Sequence, residues 1–419
     1  MFMFVVDIEP AIKPAKMTAR TELRDESESI SLMEPLILSE GSRHRPPLTD
    51  LALTLASRSA GLRRSLPEGI VTALAGLVRS MNCYYSNLIE GHDTHPVEIE
   101  RALKKDYSAD PKKRILQREA EAHIAVQEWI DDGGLKGRAV SVEGIREIHR
   151  RFCELLPPDL LVVEHPSTKQ QLRVVPGDLR GHDVVVGVHV PVSAGALPRF
   201  LARFEEVYGT LGPSETVLAA AAAHHRLAWI HPFLDGNGRV IRLMSYATLL
   251  DTLETGGVWS IARGLARNVD AYKNHLAACD MTRRNDLDGR GHLSEEALAE
   301  LTHFFLETCV DQVRFMEELV QPERLRVRIK QWTAEEIAVG SLHEKSAMLL
   351  DAILYRGELP RGDVPGALGI SERTASRVVA GLIDRGVLTS QTPKARLRMT
   401  FPAKLASYWM PGLFPEQRG

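Results

Sequence analysis

The twelve residues at 231–242, HPFLDGNGRVIR, constrain the fold and chemistry of this 419-residue chain more than any other stretch. The alanine-rich run at 214–229 predicts a helix with Ser214 as its N-cap. Because a residue before proline is disfavoured in the α region, we expect His231 to leave this helix in an extended, exposed conformation. Apolar residues at 239–250 recur at helical spacing and predict a second helix. The stretch is therefore predicted to be a loop that leads into a helix N-terminus.

The loop carries residues suited to binding an anionic phosphate group. Gly236 and Gly238 let backbone N–H groups approach a ligand closely, and the helix N-terminus adds a partial positive charge. Arg239 and Arg242, three residues apart on one helix face, can each bind phosphate oxygens through a planar guanidinium. Asp235 is an oxygen ligand of the kind that Mg²⁺ prefers. Together these residues predict a site for a Mg²⁺-bound phosphate compound.

His231 adds a reactive group to this phosphate site. A histidine with an ordinary pKa near ~6.5 can be the neutral base that removes a proton from an attacking hydroxyl. Base, metal ligand and phosphate loop together indicate phosphoryl or nucleotidyl transfer. The alternative is a helix-turn-helix whose glycine and asparagine only cap a helix, but no turn requires this order of histidine, carboxylate and arginines.

The stretch resembles the signature of the Fic family, H-P-F-x-D/E-G-N-G-R-x-x-R, at every specified position. The resemblance implies a protein adenylyltransferase, which transfers AMP from ATP to a tyrosine, serine or threonine hydroxyl of a protein and releases pyrophosphate. It implies that His231 deprotonates the hydroxyl and that Asp235 binds Mg²⁺. The remaining signature residues would bind the α- and β-phosphates through the loop and neutralise the phosphate tail through the arginines: Gly236, Asn237, Gly238, Arg239 and Arg242.

A second segment with a recognisable pattern, SNLIEG, lies upstream at 86–91. Ser86 and Glu90 are four residues apart and would share a helix face, and Gly91 can supply the left-handed residue that ends the helix. Taken alone, the segment is typical of a surface helix with a solvated glutamate. It also resembles the inhibitory motif S/T-x-x-x-E-G/N of one Fic subclass. This resemblance implies that Glu90 pairs with Arg242 and occupies the place where the γ-phosphate of ATP would bind productively.

A β-hairpin is predicted at 172–188, with strands at 172–175 and 184–188 on either side of a segment rich in glycine, proline and aspartate. A surface ribbon is the structural alternative. The Fic resemblance implies a flap whose edge holds the backbone of the target by strand addition, so that the target hydroxyl reaches His231.

Helices are also predicted at 97–131 and 141–155, where we expect His123 and His149 to be hydrogen-bonded core histidines. Further along the chain, Tyr272 matches the aromatic residue that flanks the adenine in the Fic resemblance. The same spacing also fits a tyrosine of the core.

Composition and charge indicate which partners and which cellular compartment to expect. The net charge of -3 gives no overall indication of nucleic-acid binding, and the four cysteines lie far apart. They form neither a CxxC metal site nor a disulfide framework, which favours a reducing compartment. The first ten residues are apolar, but they are a poor signal peptide because the run is short, contains Asp7 and lacks a basic region. No apolar run reaches membrane-spanning length. We therefore expect a cytoplasmic protein with no membrane partner.

The C-terminal residues 341–419 have the pattern of a winged helix-turn-helix, with its third helix at 371–385 and a wing at 387–401. Glu372, which opens the would-be recognition helix, opposes DNA phosphates. Residues 341–400 contain nine Lys and Arg against six Asp and Glu, and three basic wing residues have no acid nearby in the sequence: Lys394, Arg396 and Arg398. DNA binding and a role in protein interaction or dimerisation both stay open.

The sequence as a whole predicts a mainly α protein with a Fic-type helical core, a small β-hairpin flap and a C-terminal winged helix-turn-helix domain. The predicted regions are a weakly ordered leader at 1–46, a helical region at 47–140 with the inhibitory helix at about 82–91, the core at 141–320, a linker helix at 321–340 and the winged domain at 341–419.

The predicted function is autoinhibited AMP transfer from ATP with Mg²⁺ to an unidentified target protein, the chain itself included. Gly238 argues against kinase activity, because Fic kinases carry lysine there. Two alternatives remain, which are removal of AMP by the same site and a DNA-binding transcription regulator whose core senses a nucleotide. A homodimer is also open.

Overall fold

The computed structural model describes residues 23–164, 169–392 and 395–415. Its first helices are α1 (Arg45–Arg64), α2 (Glu68–Ile89), α3 (Pro96–Leu103) and α4 (Pro111–Asp131). The middle of the chain forms α5 (Val142–Glu154), strands β1 (Val162–Glu164) and β2 (Gln171–Arg173), α6 (Leu197–Tyr208), α7 (Pro213–Ile230), α8 (Asn237–Leu253), α9 (Ala262–Arg267), α10 (Val269–Cys279) and α11 (Glu295–Val320). The C-terminal part contains α12 (Pro322–Ala338), α13 (Ser346–Arg356), β3 (Glu358–Leu359), α14 (Val364–Leu368), α15 (Glu372–Asp384), β4 (Leu388–Thr389), β5 (Leu397–Met399) and α16 (Ala406–Trp409). The fold is mainly helical, as predicted.

Helices α7 and α8 lie side by side at the centre of the molecule. Both are buried around most of their circumference, and the alanines at 219–223 on α7 are all in the core. Small side chains allow a neighbouring helix to approach closely, and a helix without a polar face belongs in the interior. The N-cap of α7 is Gly212 and not the predicted Ser214, because the helix already begins at Pro213. The loop between α7 and α8 is thus held between two fixed helix ends.

Part of the predicted leader is packed against the core, which differs from the expected weak order. Met33, Leu36 and Leu38 are buried, and Pro35 accepts hydrogen bonds from the buried Arg226 through its carbonyl oxygen. These apolar residues show no helical periodicity, because they are buried one at a time from an irregular backbone. Residues 1–22 of the predicted leader lie outside the described residues.

The hairpin does not have the predicted pairing. Strand β2 pairs antiparallel with β1, which precedes it, and Val163 lies opposite Leu172. The predicted second strand at 184–188 instead enters a tight turn closed by a bridge between Val186 and His189. Of the valines there, Val184 is buried in the core and Val188 is exposed, and the segment does not pair with β2.

The C-terminal elements include the three helices and two wing strands of the predicted order. A further strand that was not predicted, β3, lies between the first two helices in the chain, and β5 pairs with both β3 and β4. No acid lies near the basic wing residues in the sequence, but the fold brings one to them. Glu358 on β3 accepts hydrogen bonds from Arg396 at 2.7 Å and Arg398 at 3.0 Å. Lys394 lies outside the described residues. Two basic groups of the wing are therefore neutralised within the sheet, which weakens the case for DNA binding.

The C-terminal elements pack on α2. Gly69, near the start of α2, lies so close to Gly357 that a Cβ atom there would overlap the Gly357 carbonyl oxygen. Near the other end of α2, the Tyr85 hydroxyl donates to the carbonyl oxygen of Leu413 at 3.0 Å. None of the helices in the described ranges has the length and hydrophobicity needed to cross a bilayer.

Candidate active site

His231 closes α7 in the left-handed conformation, with φ 50° and ψ 64°, and donates its backbone N–H to the Leu227 carbonyl. The expectation of an extended, exposed His231 was therefore wrong, since the residue is also buried. The proline that follows does exclude the helical conformation, but the left-handed cap satisfies a terminal carbonyl of α7. Gly236 is also left-handed, and α8 begins at Asn237, two residues earlier than predicted.

The side chain of Asn237 fixes the shape of the loop. Its Oδ1 accepts from the Phe233 N–H at 2.9 Å, and its Nδ2 donates to the Phe233 carbonyl at 2.7 Å. The Phe233 ring stacks on the ring of His149, with centroids 3.9 Å apart and planes 4° from parallel. His149 is in turn held by the N–H of Gly177, which donates to Nδ1. The loop is thus preorganised before any ligand binds.

Arg180 is a residue of the site that sequence reasoning missed. It is fully buried, and its Nε donates to the His231 carbonyl at 2.8 Å while its backbone N–H donates to Pro232. It lies in the segment predicted as the turn of the hairpin, and no local pattern pointed to the loop. Burial, with the positive charge of Arg180 and the nearby His189, lowers the pKa of His231 to about 3. His231 is therefore neutral at physiological pH, as a base must be.

The ion pair expected between Glu90 and Arg242 is present in the structure. Arg242 Nη2 lies 2.5 Å from Glu90 Oε1, and Arg242 Nε donates to Ser86 Oγ at 2.8 Å. Gly91 has a φ of 87°, so it ends α2 as expected. Burial alone would raise the pKa of Glu90, but the arginines at 242 and 239 outweigh it and lower the pKa to about 2. Glu90 is therefore ionised at neutral pH.

Glu90 lies against the N-terminal turn of α8. A Cβ atom on Gly238 would collide with Glu90 Oε1 and would lie 3.1 Å from Arg242 Nη1. The absence of a side chain at 238 is what lets the carboxylate come this close. A helix N-terminus attracts anions through its free N–H groups and its dipole. The carboxylate therefore occupies a position that suits a phosphate.

Arg239 points to a different carboxylate. Its Nη2 donates to Glu119 Oε2 at 2.9 Å and lies 3.2 Å from His92 Nδ1, and its guanidinium lies 5.3 Å from the Phe152 ring centroid. Glu119 and His92 were not singled out from the sequence, because Glu119 lies in a charged helical segment with no motif of its own.

Asp235 is exposed on the loop. Within the described ranges, no cluster of three or more His, Cys, Asp or Glu residues could hold a metal ion. Mg²⁺ commonly binds one or two carboxylates and completes its shell with waters and substrate phosphates. A single carboxylate beside a phosphate site fits that mode of binding. Asp235 would hold the ion only together with the nucleotide.

Three further residues named from the sequence lie in the core. Tyr272 is buried, and its hydroxyl is hydrogen-bonded to His224 Nε2 at 2.7 Å. Its contact with an adenine stays a prediction. His149 is hydrogen-bonded as expected. His123 is buried, but neither ring nitrogen has a hydrogen-bond partner, which differs from the expected satisfied histidine.

Residues 139–249 match a family model described as the Fic/DOC family. Two similar curated proteins are both named Protein adenylyltransferase Fic. The one from Drosophila willistoni is 28% identical over 226 residues, which are 51% of this chain and 42% of the relative. The one from Drosophila erecta is 27% identical over 206 residues, which are 48% of this chain and 36% of the relative. The chain thus spans less than half the length of these relatives.

A solved structure of a Fic family protein from Desulfovibrio desulfuricans G20 has a TM-score of 0.50 to this chain at 17% identity. The superposition covers 87% of this chain and 98% of that chain, so the likeness concerns the fold and extends to the C-terminal elements. Helices α5 to α7, the loop that carries His231 and most of α8 lie within the residues matched by the family model. Residues 139–249 therefore match the Fic/DOC family in sequence, and the chain resembles a Fic family protein in fold.

Proposed function

We propose that this protein is an adenylyltransferase that transfers AMP from ATP to a tyrosine, serine or threonine hydroxyl of a protein. The observation that carries the proposal is the junction of α7 and α8. It places a neutral, buried His231 on one side of a preorganised loop and a helix N-terminus flanked by Arg239 and Arg242 on the other. The names of the Drosophila relatives support the same reaction.

His231 would accept the proton of the attacking hydroxyl as its oxygen bonds to the α-phosphorus of ATP. The bond from the α-phosphorus to the bridging oxygen breaks, and pyrophosphate leaves with the electron pair. The N–H groups at the start of α8 and the guanidinium of Arg242 would neutralise the charge that develops on the phosphates. Mg²⁺ held by Asp235 and the phosphates would neutralise further charge on the nucleotide.

The proposal includes inhibition by Glu90. Its carboxylate and the terminal phosphate of ATP would compete for Arg242 and for the first turn of α8. An arginine and carboxylate that are largely buried and hydrogen-bonded interact much more strongly than an exposed pair. We therefore expect slow AMP transfer by the unaltered protein, because its site has every residue that the reaction needs but Glu90 blocks productive binding of ATP.

The first experiment compares the parent with Glu90→Gly in the presence of Mg-ATP and cell lysate. We expect AMP transfer at least about tenfold faster in the variant, because a loss of about 1.4 kcal/mol from the competing pair changes occupancy tenfold. Mass spectrometry of labelled peptides would find the mass of AMP on a hydroxyl residue. A variant no faster than the parent would remove the inhibitory role of Glu90.

The control is Glu90→Gly combined with His231→Ala, which we expect to transfer no AMP. Continued labelling by this double variant would overturn the role of His231 as base. Transfer of the γ-phosphate alone would overturn AMP transfer and indicate a kinase. Incubation of the isolated AMP-modified target with the parent protein, without ATP, tests for removal of AMP by the same site.

A further inference from the structure

Each arginine of the signature is bound to its own carboxylate. Arg242 pairs with Glu90, whereas Arg239 pairs with Glu119, whose Oε2 accepts from Nη2 at 2.9 Å. The Glu119 side chain is 11% exposed and that of Arg239 is 9% exposed, so the second pair is largely removed from water. Breaking a buried pair of this kind leaves an uncompensated charge, which is costly.

The two carboxylates differ in how they are held. Glu90 follows the last residue of α2, next to a left-handed glycine, and its side chain is 27% exposed. A local change of that turn can withdraw it. Glu119 lies in the middle of α4, which packs against α2, α3, α5 and α8. The backbone of Glu119 is therefore fixed by a packed helix, whereas that of Glu90 lies at a helix end.

The contacts of Arg239 leave one end of its guanidinium for a ligand. Both of its polar contacts, to Glu119 and to His92, use Nη2. Among the residues that the structure describes, no hydrogen bond is made by Nη1. A guanidinium fixed at one end by a carboxylate is already oriented, so less side-chain entropy is lost when the other end binds a phosphate.

We propose that Glu119 is a positioning residue that holds Arg239 through Nη2 and so presents Nη1 to the phosphates of ATP. This inference rests on the proposed function, because it takes Arg239 to be a phosphate ligand. Glu119 stays in place whether or not Glu90 has withdrawn. Glu119 therefore has a different role from the inhibitory Glu90. Loss of Glu119 weakens nucleotide binding, whereas loss of Glu90 increases the rate of AMP transfer.

His92 provides the rival explanation and the control. It lies two residues after Glu90, and its Nδ1 lies 2.7 Å from Glu119 Oε2. In the rival explanation, Glu119 acts through its contact with His92 and only holds the turn that carries Glu90 in place. In that case, His92→Ala would reproduce every effect of Glu119→Ala.

The experiment uses the full chain in the Glu90→Gly background. We measure KM for Mg-ATP and kcat by AMP transfer, and the Kd of a non-hydrolysable ATP analogue by calorimetry. Glu119→Ala should raise both KM and Kd about tenfold or more, with kcat changed less than about threefold, since a charge-assisted contact contributes about 1.5–3 kcal/mol. Glu119→Gln keeps an acceptor oxygen and should recover most of the affinity. His92→Ala should leave Kd within about twofold.

A double-mutant cycle decides whether Glu119 acts through Arg239. In an Arg239→Ala background, Glu119→Ala should cause no further rise in Kd, because the effects of coupled residues are not additive. Equal rises in both backgrounds would overturn the inference, and so would a His92→Ala variant that matches Glu119→Ala. Faster transfer by Glu119→Ala with Glu90 intact would identify Glu119 as a second inhibitory group instead.

The same measurements separate this inference from the proposed function. If Glu90→Gly transfers no AMP but Glu119→Ala still weakens binding of the analogue, the proposed reaction fails and the role of Glu119 stands. If AMP transfer occurs and Glu119→Ala leaves Kd unchanged, the proposed reaction stands and the role of Glu119 fails. Should Glu119→Ala fail to fold, the Glu119→Gln variant and its own cycle with Arg239→Ala give the test, with a twofold to fivefold rise in Kd expected.

Discussion

At the scale of single residues, burial sets the chemistry of His231. Its backbone is fixed in a left-handed conformation by Arg180, and its ring is removed from water. Both burial and the adjacent positive charge disfavour the imidazolium form and lower its pKa. As the proposed base, His231 would stay in its proton-accepting form throughout the range of cellular pH.

This protonation state predicts an unusual pH dependence. With the pKa of His231 lowered to about 3, the ring is already neutral at pH 5. We expect kcat of the Glu90→Gly variant at saturating Mg-ATP to show no half-maximal point near pH 6.5, the ordinary value for histidine. The measurement is AMP transfer from pH 5 to 8, with thermal unfolding at each pH to show that the protein stays folded. A midpoint near 6.5 in a folded protein would contradict the buried, neutral base.

Site residues that lie in a short sequence motif could be predicted from the sequence. The loop at 231–242 and the Glu90–Arg242 contact were found because each follows a family motif. Arg180 and Glu119 reach the site from other elements, and neither lies in a local pattern that differs from an ordinary charged segment. The left-handed conformation of His231 was missed because the rule for residues before proline favours an extended backbone. Here His231 adopts the left-handed conformation of a helix C-cap instead.

At the scale of elements, α2 connects the site with the C-terminal part of the chain. Its last turn carries Ser86 and ends beside Glu90, while its first turn lies against Gly357. The long helices were predictable because their apolar residues repeat over many turns. The hairpin was predicted with the wrong partner strand, because alternation shows that a segment is extended but not what it pairs with.

The contact between α2 and Gly357 predicts a sharp difference between two glycines of one helix. Gly69→Ala would place a Cβ atom into the Gly357 carbonyl, so we expect a loss of about 1–3 kcal/mol in the free energy of unfolding. The control is Gly76→Ala, whose Cβ would meet only Arg79 Nη2, at 3.7 Å. That change should stabilise the helix by about 0.5–1 kcal/mol. Thermal and urea unfolding measure both, and equal effects would show that the backbone contact does not matter.

At the scale of the whole molecule, buried histidines connect stability with pH. Burial lowers the pKa of five of them, to about 3 for three and about 4 for two: His123, His224, His231, His149 and His225. Each is neutral in the folded protein but gains a proton on unfolding once the pH falls below about 6.5. The unfolded state then binds more protons, so stability falls with falling pH.

We therefore expect the melting temperature to decrease steadily from pH 7 to pH 5, before most carboxylates titrate. Each histidine contributes a slope of up to about 1.4 kcal/mol per pH unit in this range. Asp131 opposes them, because burial raises its pKa to about 6 and its protonation favours the folded state. The pKa of Asp235 is also raised, so Asp235 acts in the same direction. Two opposing groups against five histidines leave a net loss of stability. A melting temperature that is constant or rises toward pH 5 would contradict this balance.

The length of α2 makes the position of Glu90 sensitive to a small tilt of the helix. From Gly69 to its last residue it is about 30 Å long, at about 1.5 Å per residue. A rotation of about 2° about the Gly357 contact would move the Glu90 end by about 1 Å. That displacement is enough to stretch the 2.5 Å contact between Glu90 and Arg242 past ordinary hydrogen-bond length. A ligand of the C-terminal elements would need only this small tilt to alter the contact between Glu90 and Arg242 at the far end of the helix.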